Sequence, residues 1–408
     1  MSIIDLAKKT KEASLHLQAL TEPERVQALK KISEAILENK IIILDQNQID
    51  LEAAHENKLS SALIDRLTLT EKSIQSLAQM CLDVANQPQV TGIIDREYTR
   101  PNGLQIKIQR IPIGVVAMIF ESRPNVVVDG IALAIKSGNA IILKGGKEAA
   151  HSNRCLYEIC RQATEKILPS ESFSLVETRE DVNDLLKLDQ YIDLVVPRGG
   201  SALVKHVKDH ARMPVVAHDK GLCHMYVHKD ADIESTVKII LNAKTQRIGV
   251  CNALESLLLH ESFKGIKEVI EGLIKAGVEI RGDKSSHELN PAVKLATADD
   301  YHTEYLDMIL SLKIVKNEQE AIKHIQDHTS HHTESILAHD PKVIELFLNS
   351  LDSSCLAVNA STRFNDGGEL GLGAELGIST SKLHAYGPMG AREMTTTRFL
   401  VYGNGHIR

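Results

Sequence analysis

Residues 114–147 read GVVAMIFESRPNVVVDGIALAIKSGNAIILKGGK, and this stretch decides the fold class. An apolar run at 114–120 is followed by a helical pattern at Val126–Lys136 and a second apolar run at Ala140–Leu143. Runs of Val, Ile and Leu without polar alternation are typical of strands buried on both faces of a parallel sheet. The stretch therefore predicts a β-α-β unit, from which doubly wound α/β domains are built.

The same alternation continues toward the C-terminus, whereas the first 85 or so residues have only helical periodicity. Thr21 and Glu24 form a potential capping box for the second of these early helices. Downstream, the pattern predicts strands Phe173–Val176, Ile192–Val196, His224–Val227, Leu254–Leu259 and Cys355–Val358, and helices Val182–Leu188, Ala202–His210, Ile233–Lys244 and Ile266–Ala276. We therefore predict an α/β protein with two doubly wound domains.

A period of two replaces these patterns at Glu97–Ile111, which reads EYTRPNGLQIKIQRI and predicts a hairpin. The hairpin and the final apolar segment Phe399–Tyr402 would each expose an apolar face. We expect both to pair with a partner subunit's sheet by edge addition, giving a homodimer or a dimer of dimers. They would form a small β oligomerisation flap.

Composition excludes several classes of protein. The chain has 408 residues, a net charge of −7, 3% aromatic residues and no Trp, which disfavours a nucleic-acid binder. It has no apolar run of the roughly 18 residues that a spanning helix needs and no signal-type apolar core near its start, so we expect no membrane contact. Six cysteines without C-x-x-C spacing indicate free thiols and a cytoplasmic location.

Two glycine pairs lie at predicted strand-to-helix junctions, where a helix N-terminus could bind a phosphate. They are Gly145-Gly146 and Gly199-Gly200; tight turns are the equal alternative, and no G-x-G-x-x-G follows an early strand. Cys251 follows a cation in a polar loop and could be a nucleophile, although most free cysteines are small buried residues. The His324/His328 pair lacks a third ligand with regular spacing, so we predict no metal site.

Four segments carry a resemblance to a known family. They are residues 110–153, IDLVVPRGGSALV (192–204), TQRIGVCNALESLLLH (245–260) and NASTRFNDGGELGLGAELGISTSKLHAYGPMGAREMTTTRFLVYG (359–403). Together they resemble the gamma-glutamyl phosphate reductases, or glutamate-5-semialdehyde dehydrogenases, of the aldehyde dehydrogenase superfamily. The resemblance covers nearly the whole chain and implies an aldehyde-dehydrogenase-like fold.

The resemblance implies NADPH-dependent reduction of L-glutamyl 5-phosphate to L-glutamate 5-semialdehyde and phosphate, the second step of proline biosynthesis. Cys251 would be the catalytic thiol that forms a thioester. Its backbone N–H and the side chain of Asn125 would stabilise the oxyanion. The hydrolytic relatives carry a Glu where this chain reads HDKGL (218–222), which suits an acyl group that exchanges with phosphate rather than water.

The resemblance also implies residues for the cofactor NADP(H). Lys144 would hold the adenosine ribose, and Lys147 would replace the Glu of NAD-preferring relatives and attract the 2′-phosphate. Gly200 and Ser201 would form the turn against the pyrophosphate, and Glu304 would bind the nicotinamide ribose.

The implied substrate carries anionic groups and an ammonium, so its pocket needs cations and a carboxylate. Arg123 and Arg363 are candidates for the anions because an Arg can bind a carboxylate bidentately, and Asp366 is the candidate for the ammonium. The alternative, that all three are solvated loop charges, stays open.

The implied domains follow this division of roles. The cofactor domain would consist of residues 1–96 and 112–222, and residues 361–385 would return to it. The catalytic domain would consist of residues 223–360. Residues 97–111 and 386–408 would form the oligomerisation hairpin and tail. A transient contact with glutamate 5-kinase is expected. The alternatives are another aldehyde dehydrogenase, acylating coenzyme A or oxidising an unrelated aldehyde, and a non-catalytic NADP-binding scaffold for that kinase.

Overall fold

The β-α-β unit predicted from residues 114–147 is present in the computed structural model, which describes residues 2–217 and 220–408 without the side chains of Ser61, Ala62 and Arg179. The helices are α1 (Ile3–Ala19), α2 (Glu22–Glu38), α3 (Lys40–Glu56), α4 (Ser61–Leu67), α5 (Glu71–Asn86), α6 (Asn125–Ser137), α7 (Ala150–Thr164), α8 (Arg179–Leu185), α9 (Ser201–His210), α10 (Ile233–Thr245), α11 (Ile266–Lys275), α12 (Lys284–Leu289), α13 (Glu318–His328) and α14 (Pro341–Ser350).

The strands are β1 (Ile94–Thr99), β2 (Gln105–Pro112), β3 (Val115–Phe120), β4 (Ala140–Lys144), β5 (Phe173–Leu175), β6 (Leu194–Arg198), β7 (Cys223–Val227), β8 (Leu254–His260), β9 (Glu279–Gly282), β10 (Lys294–Leu295), β11 (Ile309–Val315), β12 (Thr333–Leu337), β13 (Cys355–Val358), β14 (Ile378–Ser379), β15 (Gly387–Pro388) and β16 (Thr395–Tyr402). The α/β prediction is confirmed. Contacts divide the chain into unit 1 (1–217, 371–377 and 383–408) and unit 2 (218–370 and 378–382).

Unit 1 contains a parallel four-stranded sheet in the order β5-β4-β3-β6. Every residue of β3 is buried, which explains its unbroken apolar run. Helix α6 ends at Gly138, whose φ of +71° is a left-handed conformation that favours glycine. The chain can therefore turn directly from α6 into β4.

Unit 2 contains a parallel seven-stranded sheet in the order β10-β9-β11-β8-β7-β12-β13. Successive residues of β8 enter different cores: Leu257 packs in a cluster with Ile240 and Val269 of α10 and α11, and Leu258 packs with Ile325 and Phe347 of α13 and α14. Helices therefore cover both faces, as a doubly wound domain requires.

Local capping explains two helix boundaries. The backbone N–H of Thr21 donates to Glu24 Oε2 at 2.7 Å, so the capping box predicted at the start of α2 is confirmed. The predicted helix 182–188 instead begins at residue 179 and ends at Leu185. Thr178 Oγ1 accepts the N–H of Asp181 at 3.1 Å and fixes this earlier start.

The hairpin prediction is confirmed, and the C-terminal segment adds a third strand to the hairpin within the same chain. Strand β16 pairs antiparallel with β2 of the same chain, from Thr395 opposite Pro112 to Tyr402 opposite Gln105. The result is a three-stranded sheet in the order β1-β2-β16. Phe399 keeps an exposed fraction of 66%, so an apolar surface persists on β16. Assembly with a second copy stays a prediction.

The two units do not coincide with the predicted domain boundaries. Unit 1 ends at residue 217 rather than 222, and residues 361–370 belong to unit 2. The reason for the second difference is local: Asn252 Nδ2 donates to the carbonyl oxygens of Arg363 and Asn365, which ties this segment to the start of β8. The assignment of cofactor and catalytic roles to domains stays a prediction.

Among the residues that the structure describes, no helix combines the length and the apolar character needed to cross a bilayer.

Candidate active site

Cys251 of unit 2 is half-buried in the turn that joins α10 to β8. Burial does not single it out, because Cys155 and Cys355 are also half-buried. Burial raises the pKa of five thiols, those of Cys81, Cys155, Cys160, Cys223 and Cys355, and so disfavours their thiolate forms.

Two neighbouring residues, Cys223 and Gly221, contact the backbone carbonyl of Cys251 and fix its position. The thiol of Cys223 donates to the Cys251 carbonyl oxygen at 3.1 Å. Gly221 approaches so closely that a Cβ added there would lie 2.0 Å from the same oxygen. Only a glycine fits at position 221 while this loop keeps its place. Sequence reasoning missed both residues, although Gly221 stands inside the HDKGL stretch.

The next residue, Asn252, links the loop to the segment that follows β13. Its amide donates to the Arg363 and Asn365 carbonyl oxygens at 3.3 and 2.9 Å, and Thr362 Oγ1 donates to the Asn252 carbonyl oxygen at 2.7 Å. Asn252 is 3% exposed, so these bonds form in a dry environment. They hold residues 362–365 beside the thiol.

The predicted residues Glu304, Arg363 and Asp366 all lie near this loop. Glu304 Oε1 accepts the N–H of Gly221 at 2.9 Å. Burial lowers the pKa of Arg363, and the charge of Asp366 partly offsets that shift. The Arg363 carbonyl oxygen accepts from Asn252, the residue after Cys251. Asp366 Oδ1 accepts the N–H of Gly368 at 2.9 Å and caps the glycine turn.

A buried ion pair joins the two elements that flank the Cys251 loop, α10 and β8. Lys244 Nζ lies 3.1 Å from Glu255 Oε2, and both side chains are fully buried. Burial lowers the pKa of Lys244 and raises that of Glu255. Glu255 also accepts the N–H of Tyr305 at 3.2 Å, so it anchors the residue next to Glu304. Sequence reasoning missed this pair because a charged residue in a strand carries no sign of its partner.

In unit 1, the predicted cofactor lysines lie at and just after the end of β4. Lys144 is half-buried at the end of the strand and Lys147 is exposed in the short turn after it. The carboxylate of Glu148 lies close by: it accepts the N–H of Ser122 at 2.8 Å. Burial raises the pKa of Glu148, but the Ser122 hydrogen bonds and the charge of Lys144 outweigh burial and lower it. One carboxylate and two cations therefore share this turn.

The predicted pyrophosphate turn at Gly200 and Ser201 forms the N-terminus of α9. Glu121 Oε2 accepts the N–H of Gly200 at 2.9 Å. A Cβ at Gly199 would lie 2.5 Å from the same oxygen, whereas a Cβ at Gly200 would lie 3.9 Å from it, so this contact needs a glycine at position 199 only. A carboxylate therefore stands where a helix N-terminus attracts anions.

Asn125, the predicted oxyanion donor, is the first residue of α6. Its Nδ2 donates to Asp129 Oδ2 at 2.8 Å, one turn along the helix. Burial raises the pKa of Asp129 to about 6, and the cations of Arg198 and, more weakly, Arg123 oppose that shift. Arg123 therefore lies near this pair in unit 1, whereas Arg363 and Asp366 belong to unit 2. His218 and Asp219 of the HDKGL stretch lie outside the described residues.

Comparisons with known proteins identify the family and the fold of the chain. A sequence profile of the aldehyde dehydrogenase family matches residues 2–304. The gamma-glutamyl phosphate reductase of Nautilia profundicola is 48% identical over 409 residues, which cover 99% of each chain. The crystal structure of a gamma-glutamyl phosphate reductase from Thermotoga maritima is 42% identical, with a TM-score of 0.96 and full coverage of both chains.

A more distant structure shares the fold alone. An acetylating aldehyde dehydrogenase from Geobacillus thermoglucosidasius is 20% identical and has a TM-score of 0.72, covering 100% of this chain and 97% of its own. The aldehyde-dehydrogenase-like fold expected from the sequence is therefore confirmed.

Proposed function

This chain belongs to the aldehyde dehydrogenase family, and within it to the gamma-glutamyl phosphate reductases, and on that premise we propose that it reduces L-glutamyl 5-phosphate to L-glutamate 5-semialdehyde and phosphate in proline biosynthesis. The observation that supports the proposal is that Cys251, Glu304, Arg363 and Asp366 all belong to unit 2, with Glu304 bound to Gly221 against the Cys251 carbonyl and the Arg363 carbonyl bound to Asn252. A nucleophile, a cation and two carboxylates then meet within one unit.

The residues of unit 1 fit NADP(H). Glu121 shows by its own position that the α9 N-terminus accepts an anion at Gly200, and Lys144 and Lys147 supply cations for further phosphate. Gly200 and Ser201 would hold the pyrophosphate, Lys144 the adenosine ribose and Lys147 the 2′-phosphate. Glu304 of unit 2 would hold the nicotinamide ribose. The cofactor, when bound, supplies a hydride.

Cys251 would act through its thiolate. The sulfur attacks the acyl carbon of the substrate, a C–S bond forms, and the C–O bond to the phosphoryl group breaks, releasing inorganic phosphate and leaving a thioester on Cys251. The acyl oxygen becomes negative in the tetrahedral state, so it needs fixed donors. The Cys251 N–H is one. By the resemblance, Asn125 Nδ2 would be the other.

Arg363 and Arg123 would bind the anionic groups of the substrate, and Asp366 would bind its ammonium. Desolvation strengthens these contacts, because a half-buried guanidinium is screened less than one at the surface. Gln246 Oε1 accepts from Arg363 Nε at 2.9 Å and orients the guanidinium plane. The remaining guanidinium donors suit a carboxylate.

Replacement of the thiol tests the proposal directly. Cys251→Ser is expected to abolish NADP+ reduction by glutamate semialdehyde and phosphate, whereas Cys155→Ser, a half-buried thiol in unit 1, keeps it. Single turnover with NADP+ separates an enzyme from a non-catalytic scaffold. Coenzyme A in place of phosphate tests the acylating alternative, and a rate with coenzyme A above that with phosphate would contradict the proposed substrate.

The setting of the reaction is part of the proposal. All six cysteines are free thiols, which supports a reducing cytoplasm. An acyl phosphate hydrolyses readily, which supports a transient contact with the glutamate 5-kinase that would produce it. Sedimentation of the purified chain, alone and with that kinase, measures both the homo-oligomer and the contact.

A further inference from the structure

Three side chains meet at the carboxyl ends of neighbouring strands in unit 2, on residues that the proposed reaction does not use. His228 follows β7, His260 is the last residue of β8, and Glu318 begins α13 just after β11. The order β11-β8-β7 makes these strands adjacent and parallel. One ligand atom from each side chain lies within 4.8 Å of the other two.

We propose that His228, His260 and Glu318 bind one divalent transition-metal ion of the zinc class. Two imidazoles and a carboxylate form a donor set that Zn²⁺ accepts in tetrahedral geometry, with the fourth position left for water. Donor atoms around such an ion are about 3.4 Å apart, so atoms that lie within 4.8 Å of one another need to close by at most about 1.4 Å. The site is independent of the proposed reaction.

The first histidine is already oriented for metal binding. His228 Nδ1 lies 2.7 Å from Asp230 Oδ1, and His228 is 2% exposed. Asp230 is itself fixed, because it accepts the N–H groups of His339 and Asp340 at 3.1 and 2.7 Å. A carboxylate in this position keeps the proton on Nδ1 and leaves the Nε2 lone pair for a metal. Metal-binding histidines normally donate their other ring N–H to a carboxylate or a carbonyl oxygen, and Asp230 is that acceptor for His228.

The second histidine gives the site a specific signature. His260 Nδ1 accepts the N–H of Ser262 at 3.0 Å, so the neutral ring carries its proton on Nε2. A metal can replace the Ser262 N–H at Nδ1, or the proton can move to Nδ1 and free Nε2. Both routes break the Ser262 hydrogen bond. Metal binding should therefore expose the Ser262 amide to exchange.

A buried hydroxyl provides an independent observation. Tyr226 is 0% exposed, and within the described residues its hydroxyl has no hydrogen-bond partner. Its ring centroid lies 6.3 Å from that of His228. A water on the metal would satisfy this hydroxyl, which otherwise pays for its desolvation.

Titration of the chelator-treated full chain with Co²⁺ and Zn²⁺ tests the site. We expect one ion per chain, visible Co²⁺ absorption bands without a thiolate charge-transfer band, and faster exchange at Ser262. Glu318→Gln is the safest variant because Glu318 is half-buried at a helix start, and it should weaken binding at least about tenfold. Asp230→Asn should weaken it by about 10- to 100-fold through His228.

The matched controls are His55→Ala and Glu271→Gln, which change the same residue types at exposed positions on α3 and α11. Both should bind as the unaltered chain does. Failure of the unaltered chain to bind either ion would overturn the proposal. So would equal affinity in Glu318→Gln, or a thiolate band showing that cysteines hold the metal.

Discussion

Glu304 Oε1 accepts the backbone N–H of Gly221 at 2.9 Å, and Gly221 in turn rests against the carbonyl of Cys251. A carboxylate predicted to contact the cofactor thereby also fixes the backbone beneath the nucleophile. Because Glu255 accepts the N–H of Tyr305, the Glu304 segment is itself held from the core. A side chain added at Gly221 should therefore displace the Cys251 backbone and, with it, the reacting sulfur.

Gly221→Ala should reduce kcat by about 100-fold, because the new methyl would force the Cys251 carbonyl to move and an error of about 1 Å at the reacting atom has that cost. Gly272→Ala is the matched control. Gly272 lies in α11, and a Cβ added there would lie at an ordinary distance of 3.4 Å from Val237 of α10, so activity should be retained. Steady-state kinetics on both variants decides; full activity in Gly221→Ala would mean that the loop position is not required.

Glu121→Gln should lower KM for NADPH, because it removes the carboxylate that competes with a phosphate for the α9 N-terminus. We expect a change of about two- to fivefold, since an exposed charge near a helix end contributes about 0.3–1 kcal/mol. Glu180→Gln, an exposed residue of α8, serves as control. A raised KM would show that Glu121 assists the cofactor instead.

Lys147→Glu should raise KM for NADPH about tenfold, a loss of about 1.4 kcal/mol, while KM for NADH changes much less. The physical reason is repulsion between two anions at the expected 2′-phosphate position, where Glu148 already contributes one carboxylate nearby. Comparison of the two cofactors is the measurement. Equal effects on both would assign the discrimination to another residue.

Arg363→Met should raise KM for glutamate semialdehyde about tenfold or more, because one charge-assisted hydrogen-bond pair contributes about 1.5–3 kcal/mol. KM for NADP+ should not change. Met keeps a similar apolar length, so loss of packing is small compared with loss of charge. Unchanged substrate kinetics would place the substrate's anchor elsewhere.

Acid should destabilise unit 2 through His324. Burial lowers the pKa of His324 to about 2, and neighbouring cations and histidines, among them His224 and His328, add to the shift. The unfolded histidine binds a proton below about pH 6.5 and the folded one does not, so stability is full above that pH and falls by about 1.4 kcal/mol per unit below it. Denaturant unfolding between about pH 6.5 and 5 measures the slope.

His324→Leu should reduce the dependence of the unfolding free energy on pH by the contribution of one proton, about 1.4 kcal/mol per pH unit. The control is His331→Ala, which changes an exposed histidine paired with Asp352 and should leave this dependence nearly unchanged. An unaltered slope in His324→Leu would assign the acid sensitivity to other groups. Asp129 also titrates in this pH range, but it is present in every variant. Its contribution therefore cancels when the pH dependence of one variant is subtracted from that of another.

Periodicity predicted most of the sheet strands and helices because buried parallel strands leave unbroken apolar runs, as in β3 and β8. The boundary of α8 shifted because one threonine side chain decides it, and a propensity pattern does not resolve a single cap. The resemblance singled out Cys251, Glu304 and Arg363. Gly221, Cys223 and the Lys244–Glu255 pair were missed because their roles depend on close approach between segments that are distant in sequence. The His228, His260 and Glu318 cluster was missed for the same reason.

The pairing of β16 with β2 has a consequence for the order of synthesis. Unit 2 lies inside the sequence of unit 1, and the strand that completes the β1-β2-β16 sheet contains residues 395–402 of a 408-residue chain. On the ribosome, β2 must therefore wait with one edge unpaired until all of unit 2 has been synthesised. A chain interrupted before β16 would leave that edge open, so the β1-β2-β16 sheet forms later than either parallel sheet can.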